Sequence, residues 1–415
     1  MLNINRYRLS NGLRIVHSPD INTKMVALNM LYDVGARDED PEHTGFAHLF
    51  EHLMFGGSIH IPAFDAPLQL AGGENNAWTS NDITNYYITL PKQNVETGFW
   101  LESDRMLGLD FNQKSLDVQR GVVMEEFKQR SLNQPYGDVS HLLRALAYKV
   151  HPYQWPTIGK ELDHVAQATL PEVEDFFYRF YAPNNAILSV TGNISFKEVV
   201  TLSEKWFGDI PRRKVPERKI PREPLQTQER REEVFRDVPV DALYMVYPMC
   251  EFNHPDYEVY DLLSDVLANG TSSRLKQHLT QDKRVFTSID AYVSGSRDAG
   301  LFHVVGQLAN GVSLEEGENE VQLELEMLQK DLIPEEELEK VKNKFESAQV
   351  FRFIDYLNLA TDLAWYELNG NVLDIEECVS KYRSVTANKA RVIAQSLFDK
   401  NKRSVLYYRS SKTED

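Results

Sequence analysis

The chain has 415 residues, of which 42% are hydrophobic, 26% charged and 11% aromatic, enough for two domains of roughly 200 residues each. Acidic residues outnumber basic ones 62 to 45, and the formal net charge of −17 argues against the basic patch on which nucleic-acid binding depends. Cys250 and Cys378 are too few for a disulfide framework, and no apolar run approaches the ~18 residues that span a bilayer.

Structure is expected from the first residues. Tyr7-Arg-Leu and Leu13-Arg-Ile-Val flank Asn11-Gly12, a strong hairpin signal, and nothing there reads as a signal peptide. Residues 25–32 read as a buried strand, and 44–55 as a helix stopped by Gly56-Gly57. Residues 77–90, rich in Thr, Tyr, Ile and Asn and closed by Pro91, suit extended structure. Helices are expected at about 95–107, 113–129, 140–149 and 171–181, then a strand at 186–190. The stretch 210–231 holds Pro211, Pro216, Pro221 and Pro224 among charged residues and reads as a linker. Beyond it, strands at 234–248, 287–293 and 301–307 alternate with helices. The last third, from Pro334 to Leu397, is mostly helical, with a closing strand at 405–409. The expected division is therefore an α+β domain at 1–210, a linker at 211–232 and a second α+β domain at 233–415.

The two halves read as distant copies. In each, a strand leads through an acidic loop into a helix, which ends at Gly56 in the first half and Gly270 in the second. Laying Gly56 on Gly270 lays His48 on Leu262 and His52 on Val266. Polar chemistry then occupies one copy and apolar packing the other.

That chemistry is His48-Leu-Phe-Glu51-His52. On a helix His48 and His52 are i and i+4, on one face, and both imidazoles can reach one zinc ion at ~2.0–2.1 Å. Glu51 projects beside that face, placed to take a proton from water. Phe46, Leu49, Phe50, Leu53, Met54 and Phe55 make the helix apolar almost all round, so its polar groups need partners, and a metal provides one. A catalytic zinc wants a third protein ligand. Glu125 and Glu126 follow an apolar run on the helix expected at 113–129, and spacing alone does not choose between them.

The surroundings of His-x-x-Glu-His resemble the pitrilysin/insulinase-type inverzincin peptidases, especially bacterial proteases of the mitochondrial-processing-peptidase type. The resemblance rests on Gly35-x-x-x-Glu39 leading into Gly45-x-Ala-His-x-x-Glu-His-x-x-Phe, and on Gly72-Gly-x-x-Asn76-Ala77-x-Thr79-Ser80-x-Asp82-x-Thr84-x-Tyr86. Further matches are Gln119-Arg-Gly-Val-Val-Met-Glu-Glu126, His151-Pro-Tyr with Ile158-Gly159, and, more weakly, Asn269-Gly270-Thr-Ser-Ser-Arg274-Leu275.

The resemblance implies a zinc endopeptidase of two homologous domains, each a mostly antiparallel sheet flanked by helices, together half of a clam-shell chamber. It implies one zinc per chain on His48, His52 and Glu126, with Glu51 activating a zinc-bound water. Glu125 and Gln119 then lie around the ligands rather than among them, Gln119 where many relatives carry a further glutamate that supports the site. Asn76, Ala77 and Trp78 would hold substrate as an added strand, with Trp78 bordering the pocket or lying in the core. Relatives that act alone carry an Arg and a Tyr seven residues apart in the second half. Here those positions fall on Thr280 and Thr287, or in the neighbouring register on Gln281 and Ser288. Arg274, Arg284 or Tyr292 would have to substitute by an unusual path.

The expected substrate is therefore a peptide or unfolded segment. The expected partner is a homologous chain that supplies Arg and Tyr and lacks the zinc motif. The alternatives are a homodimeric peptidase and a non-catalytic assembly subunit of the same fold. The expected compartment is the bacterial cytoplasm, or the periplasm if a signal has been removed.

Overall fold

The computed structural model describes residues 2–411. One sheet contains β1 (Asn5–Arg8), β2 (Arg14–Pro19), β3 (Met25–Tyr32), β4 (Glu74–Thr79), β5 (Thr84–Pro91) and β6 (Ala186–Gly192), in the order β1-β2-β6-β3-β5-β4. The other contains β7 (Arg230–Arg236), β8 (Ala242–Pro248), β9 (Phe286–Ser294), β10 (Leu301–Leu308) and β11 (Ser404–Ser410), in the order β7-β11-β8-β10-β9.

Without β1 the two orders are one pattern, with β2 to β6 corresponding in turn to β7 to β11. β2 runs parallel to β6 and β7 parallel to β11, and the remaining pairs are antiparallel in both sheets. The helix after β3, Phe46–Leu53, has its counterpart after β8 in Tyr257–Ala268, where Leu262 and Val266 are buried. The same architecture is thus built twice, with imidazoles in one helix and aliphatic side chains in the other.

Several expected elements differ in detail. The first turn is five residues long, because Arg8 pairs with Arg14 and Leu9 N–H donates to the Leu13 carbonyl (3.0 Å). The stretch 77–90 is a hairpin rather than one strand. Ser80 turns the chain by donating its N–H to the Ile83 carbonyl (2.9 Å) and accepting the Ile83 N–H on its hydroxyl (3.1 Å). The strand expected at 234–248 is likewise two, β7 and β8, separated by a turn at Val238.

Each sheet has two apolar faces to cover, and this divides the chain otherwise than at a single linker. One compact unit comprises 1–129, 155–220 and 350–377; the other comprises 130–154, 221–349 and 378–415. In the first unit, Leu28, Met30, Ile88 and Leu188 pack under the helices that follow β3 and β5. The opposite face, with Val16, Leu31 and Ile187, is covered by Leu359, Leu363 and Leu368 from the helix Tyr356–Leu368, which comes from late in the sequence. In the second unit the corresponding face, with Ala242, Val246 and Leu406, is covered by Leu143 and Ala147 from Val139–Ala147, which comes from early in the sequence. A sheet buried on both sides needs such a cover wherever the chain can supply it.

The proline-rich stretch is anchored at both ends. Arg213 donates to the carbonyls of Tyr181, Met106 and Leu107 (2.8–3.2 Å), and Arg218 pairs with Asp33 and Asp38. Glu223 accepts the N–H groups of Lys149, Val150 and His151 (2.8–3.0 Å). Lys219 and Arg222 between these anchors are exposed. Limited trypsin digestion is expected to cut first after Lys219. Neither fragment holds a whole unit, so the two should migrate together under native conditions and separate only in denaturant. A first cut within 44–87, or free separation of the nicked fragments, would contradict this division.

Candidate metal centre

The helix Phe46–Leu53 starts from Gly45, whose φ of +88° lies in the left-handed region. A Cβ there would also meet the Ile158 carbonyl oxygen at 2.9 Å, so glycine is required on two counts. No side chain of the helix's own first residues caps it; Glu39 does so from outside. Its carboxylate accepts the N–H of Gly45 (3.0 Å), the N–H of Ala47 (2.8 Å) and the indole N–H of Trp155 (3.1 Å). Burial pushes the Glu39 carboxyl up to about 8, against the pull of these three donors. Phe50 fixes the far side of the helix, stacked on Tyr181 (5.1 Å between centroids) and packed on Phe176 (5.1 Å).

This anchoring presents His48 and His52 together, their rings 4.9 Å apart and nearly perpendicular. The helix Gln113–Phe127 brings Glu126 to them. Glu126 Oε2 lies 3.5 Å from His48 Nε2 and 3.4 Å from His52 Nε2. These separations are long for good hydrogen bonds. They match the spacing of tetrahedral ligand atoms, which at ~2.0–2.1 Å from one zinc ion stand about 3.3–3.4 Å apart. Among the described residues this is the one group of three such side chains whose ligand atoms all lie within 4.8 Å of one another. Glu125 points away and pairs with Lys128 (2.6 Å). Gln119 stands two turns before Glu126 on the same helix.

Glu51 is half-buried, and its Oε2 accepts the hydroxyl of Thr79 (2.6 Å). Thr79 closes β4, the edge strand of its sheet. Burial raises the phenols of Tyr86 and Tyr181 far above their ordinary range, and the charge of Glu51 adds to it, so neither gives up a proton at neutral pH. Along β4, Ala77 packs on the core beneath the histidine helix, while Asn76 and Trp78 alternate to the other face. Trp78 is 38% exposed and is not a core residue. The Asn76 side chain accepts the N–H of Ala77 (2.8 Å).

In the second unit, Thr280 and Thr287 line a cavity of about 550 Å³ with Lys276, Ser288 and Asp290. Gln281 also lines it. Arg274 is clamped by Glu337 (2.7 and 3.0 Å), and Tyr292 stacks on His303 (4.5 Å). Arg284 sits in a left-handed turn with φ of 56°. Among the described residues no helix is long and apolar enough to cross a membrane.

Residues 14–161 match the model of the insulinase family (peptidase family M16), and 167–345 match the peptidase M16 inactive domain. The zinc protease PqqE of Helicobacter pylori is 32% identical over 364 residues, which cover 86% of this chain and 80% of that protein. The chain belongs to peptidase family M16. An uncharacterized zinc protease of Bacillus subtilis, YmxG, is 26% identical over 401 residues, covering 95% of this chain and 96% of that one. The crystal structure of a protease from Helicobacter pylori superimposes with a TM-score of 0.93 at 27% identity, covering 99% of this chain and all of that one. The histidine helix and Glu126 fall in the stretch that matches the insulinase description, and the unit without such a cluster falls largely in the one described as inactive.

Glu39, Trp155 and Thr79 were not singled out for function by spacing. Glu39 and Thr79 do stand in the motifs that carry the family resemblance, which is the signal that could have found them. The raised carboxyl of Glu39 fixes a sign: the stability it contributes is fully present below ~4.3 and is lost as pH rises through about 8. In Glu39→Gln an amide nitrogen faces N–H donors, which should cost about 1–3 kcal/mol. Thermal melting should therefore place the variant below wild type at about pH 5, and without the wild type's decline between about pH 5 and about pH 8. Parallel curves for the two proteins would contradict this account.

Proposed function

We propose that this chain is a zinc-dependent endopeptidase acting on peptides or unfolded segments. The reading rests above all on one carboxylate at tetrahedral ligand spacing from each of two imidazoles, with a second carboxylate beside them. His48, His52 and Glu126 hold one zinc ion, which when bound supplies Lewis acidity toward water and a peptide carbonyl. Glu51 takes a proton from the attacking water and returns it to the leaving amine. The free edge of β4, through Asn76, Ala77 and Trp78, pairs with the backbone of an extended substrate, a mode that needs little side-chain selectivity. Gln119 steadies Glu126 from its own helix, and Glu125 takes no part.

Zinc analysis of variants tests the assignment. His48→Ala and His52→Ala should lose the metal, and Glu126→Gln should bind it weakly. Glu51→Gln should keep zinc and lose about 10²–10⁴ in turnover. Glu125→Gln should keep both. Metal loss in Glu51→Gln, or full occupancy in Glu126→Gln, would overturn these roles.

The reading extends to a partner. Thr280 and Thr287 stand where relatives active alone carry Arg and Tyr side chains, respectively, and their short hydroxyls border a cavity instead of filling it. The machinery is then divided, and a homologous chain without the zinc motif brings the missing cation and phenol. Mixing the two should raise turnover at least roughly tenfold, a cautious share of the ~10²–10³ that one oxyanion donor contributes. Thr280→Arg with Thr287→Tyr should recover part of that gain in the single chain. If the chain alone cleaves unstructured peptides at rates no partner improves, it works as a homodimer.

A further inference from the structure

We infer that Thr79 is the positioning residue for Glu51, so that one strand both receives the substrate and aims the group that activates water. The inference rests on the peptidase reading above and adds to it a residue and a mechanical link.

A glutamate side chain has three rotatable torsions, and its carboxylate sweeps several ångströms unless something holds it. The backbone of Glu51 is fixed by the helix that carries both histidines, but the helix does not fix the carboxylate. Thr79 does, with a hydroxyl donated to Oε2 at 2.6 Å, the short distance of a hydrogen bond to an ionised acceptor. The hydroxyl is itself well placed. Thr79 is β-branched and stiff at χ1, is half-buried, and is paired across the hairpin with Thr84. Thr84 is buried and anchors its own hydroxyl on the Val34 carbonyl (3.0 Å). The turn beyond is closed by Ser80 and Ile83. The Thr79 hydroxyl is thus rigid with respect to the sheet.

β4 also has a free edge, and Ala77 and Thr79 lie on one side of it by alternation. A peptide chain that pairs with that edge takes its register from the same backbone that carries the Thr79 hydroxyl. The distance from the substrate carbonyl to Glu51 is then set by one continuous piece of strand, not by two independently mobile elements. Positioning of this kind acts on turnover, because a misplacement of about 1 Å at the reacting groups can cost about 10²-fold. Binding is left to the strand backbone, which a change of the Thr79 side chain does not alter.

Thr79→Val keeps shape and β-branching and removes the hydroxyl, and Thr79→Ser keeps the hydroxyl and removes the methyl. Zinc content should equal wild type in both. In Thr79→Val, kcat should fall roughly 10–100-fold with KM within about twofold. Thr79→Ser should recover most of that loss. A readout independent of turnover comes from crystal structures of the three proteins. The Glu51 carboxylate should leave its wild-type position in Thr79→Val and keep it in Thr79→Ser.

Three outcomes would overturn the inference: an unmoved Glu51 carboxylate in Thr79→Val, a Thr79→Ser enzyme as slow as Thr79→Val, or zinc loss in Thr79→Val. The first is read whether or not the protein cleaves peptides. Inactive wild type with zinc in place would count against the peptidase reading alone, and the crystal structures would still decide for or against Thr79.

Discussion

The candidate centre depends on three hydrogen bonds that do not touch it. Phe46–Leu53 is two turns long, too short to be stable by itself. Its first turn is held by the Glu39 carboxylate, which takes the N–H groups of Gly45 and Ala47 and the indole N–H of Trp155. Its apolar sides are locked by Phe50 against Phe176 and Tyr181. Only with the helix fixed at its end and along its flank do two imidazoles four residues apart stay aligned on a carboxylate from another helix. The ligand spacing of 3.4–3.5 Å is therefore a product of the cap and the aromatic core as much as of the motif.

The repeated topology explains why the chemistry is one-sided. Strand orders β2-β6-β3-β5-β4 and β7-β11-β8-β10-β9 present a helix in the same place twice. In the second copy Leu262 and Val266 turn that helix into ordinary core. Burying aliphatic groups stabilises without conditions, whereas buried histidines must be matched by an acceptor or an ion. One copy can thus be spent on a demanding site while the other secures its unit.

Local signals were legible and long-range ones were not. The histidine helix and the paired halves followed from periodicity and repeated order. Glu126 over Glu125 came from family resemblance, because helical spacing leaves two adjacent carboxylates open; the structure separates them, one toward the histidines and one toward Lys128. The hairpin at 80–83 was missed because its turn is held by a serine hydroxyl and not by Asn-Gly. The roles of Glu39 and Thr79 needed coordinates, since a cap eight residues upstream of Ala47 and a hydrogen bond 28 residues from Glu51 leave no mark on local pattern. The same holds for the late helix over the first sheet. Nothing in the amphipathicity of Tyr356–Leu368 says which of two sheets it covers.

That late helix has a consequence for how the protein is made. A chain leaving the ribosome in order offers β1 to β6 early, yet Leu359, Leu363 and Leu368, which cover one face of that sheet, emerge only after β7 to β10 have followed. The unit that bears the histidines stays incomplete, with an apolar face bare, while β7 to β10 are being made. Folding domain by domain as the chain emerges is closed to it. The nascent protein must wait for residue 377 before its first unit is whole, and through that interval it is a client for whatever shields exposed apolar surface in the cell.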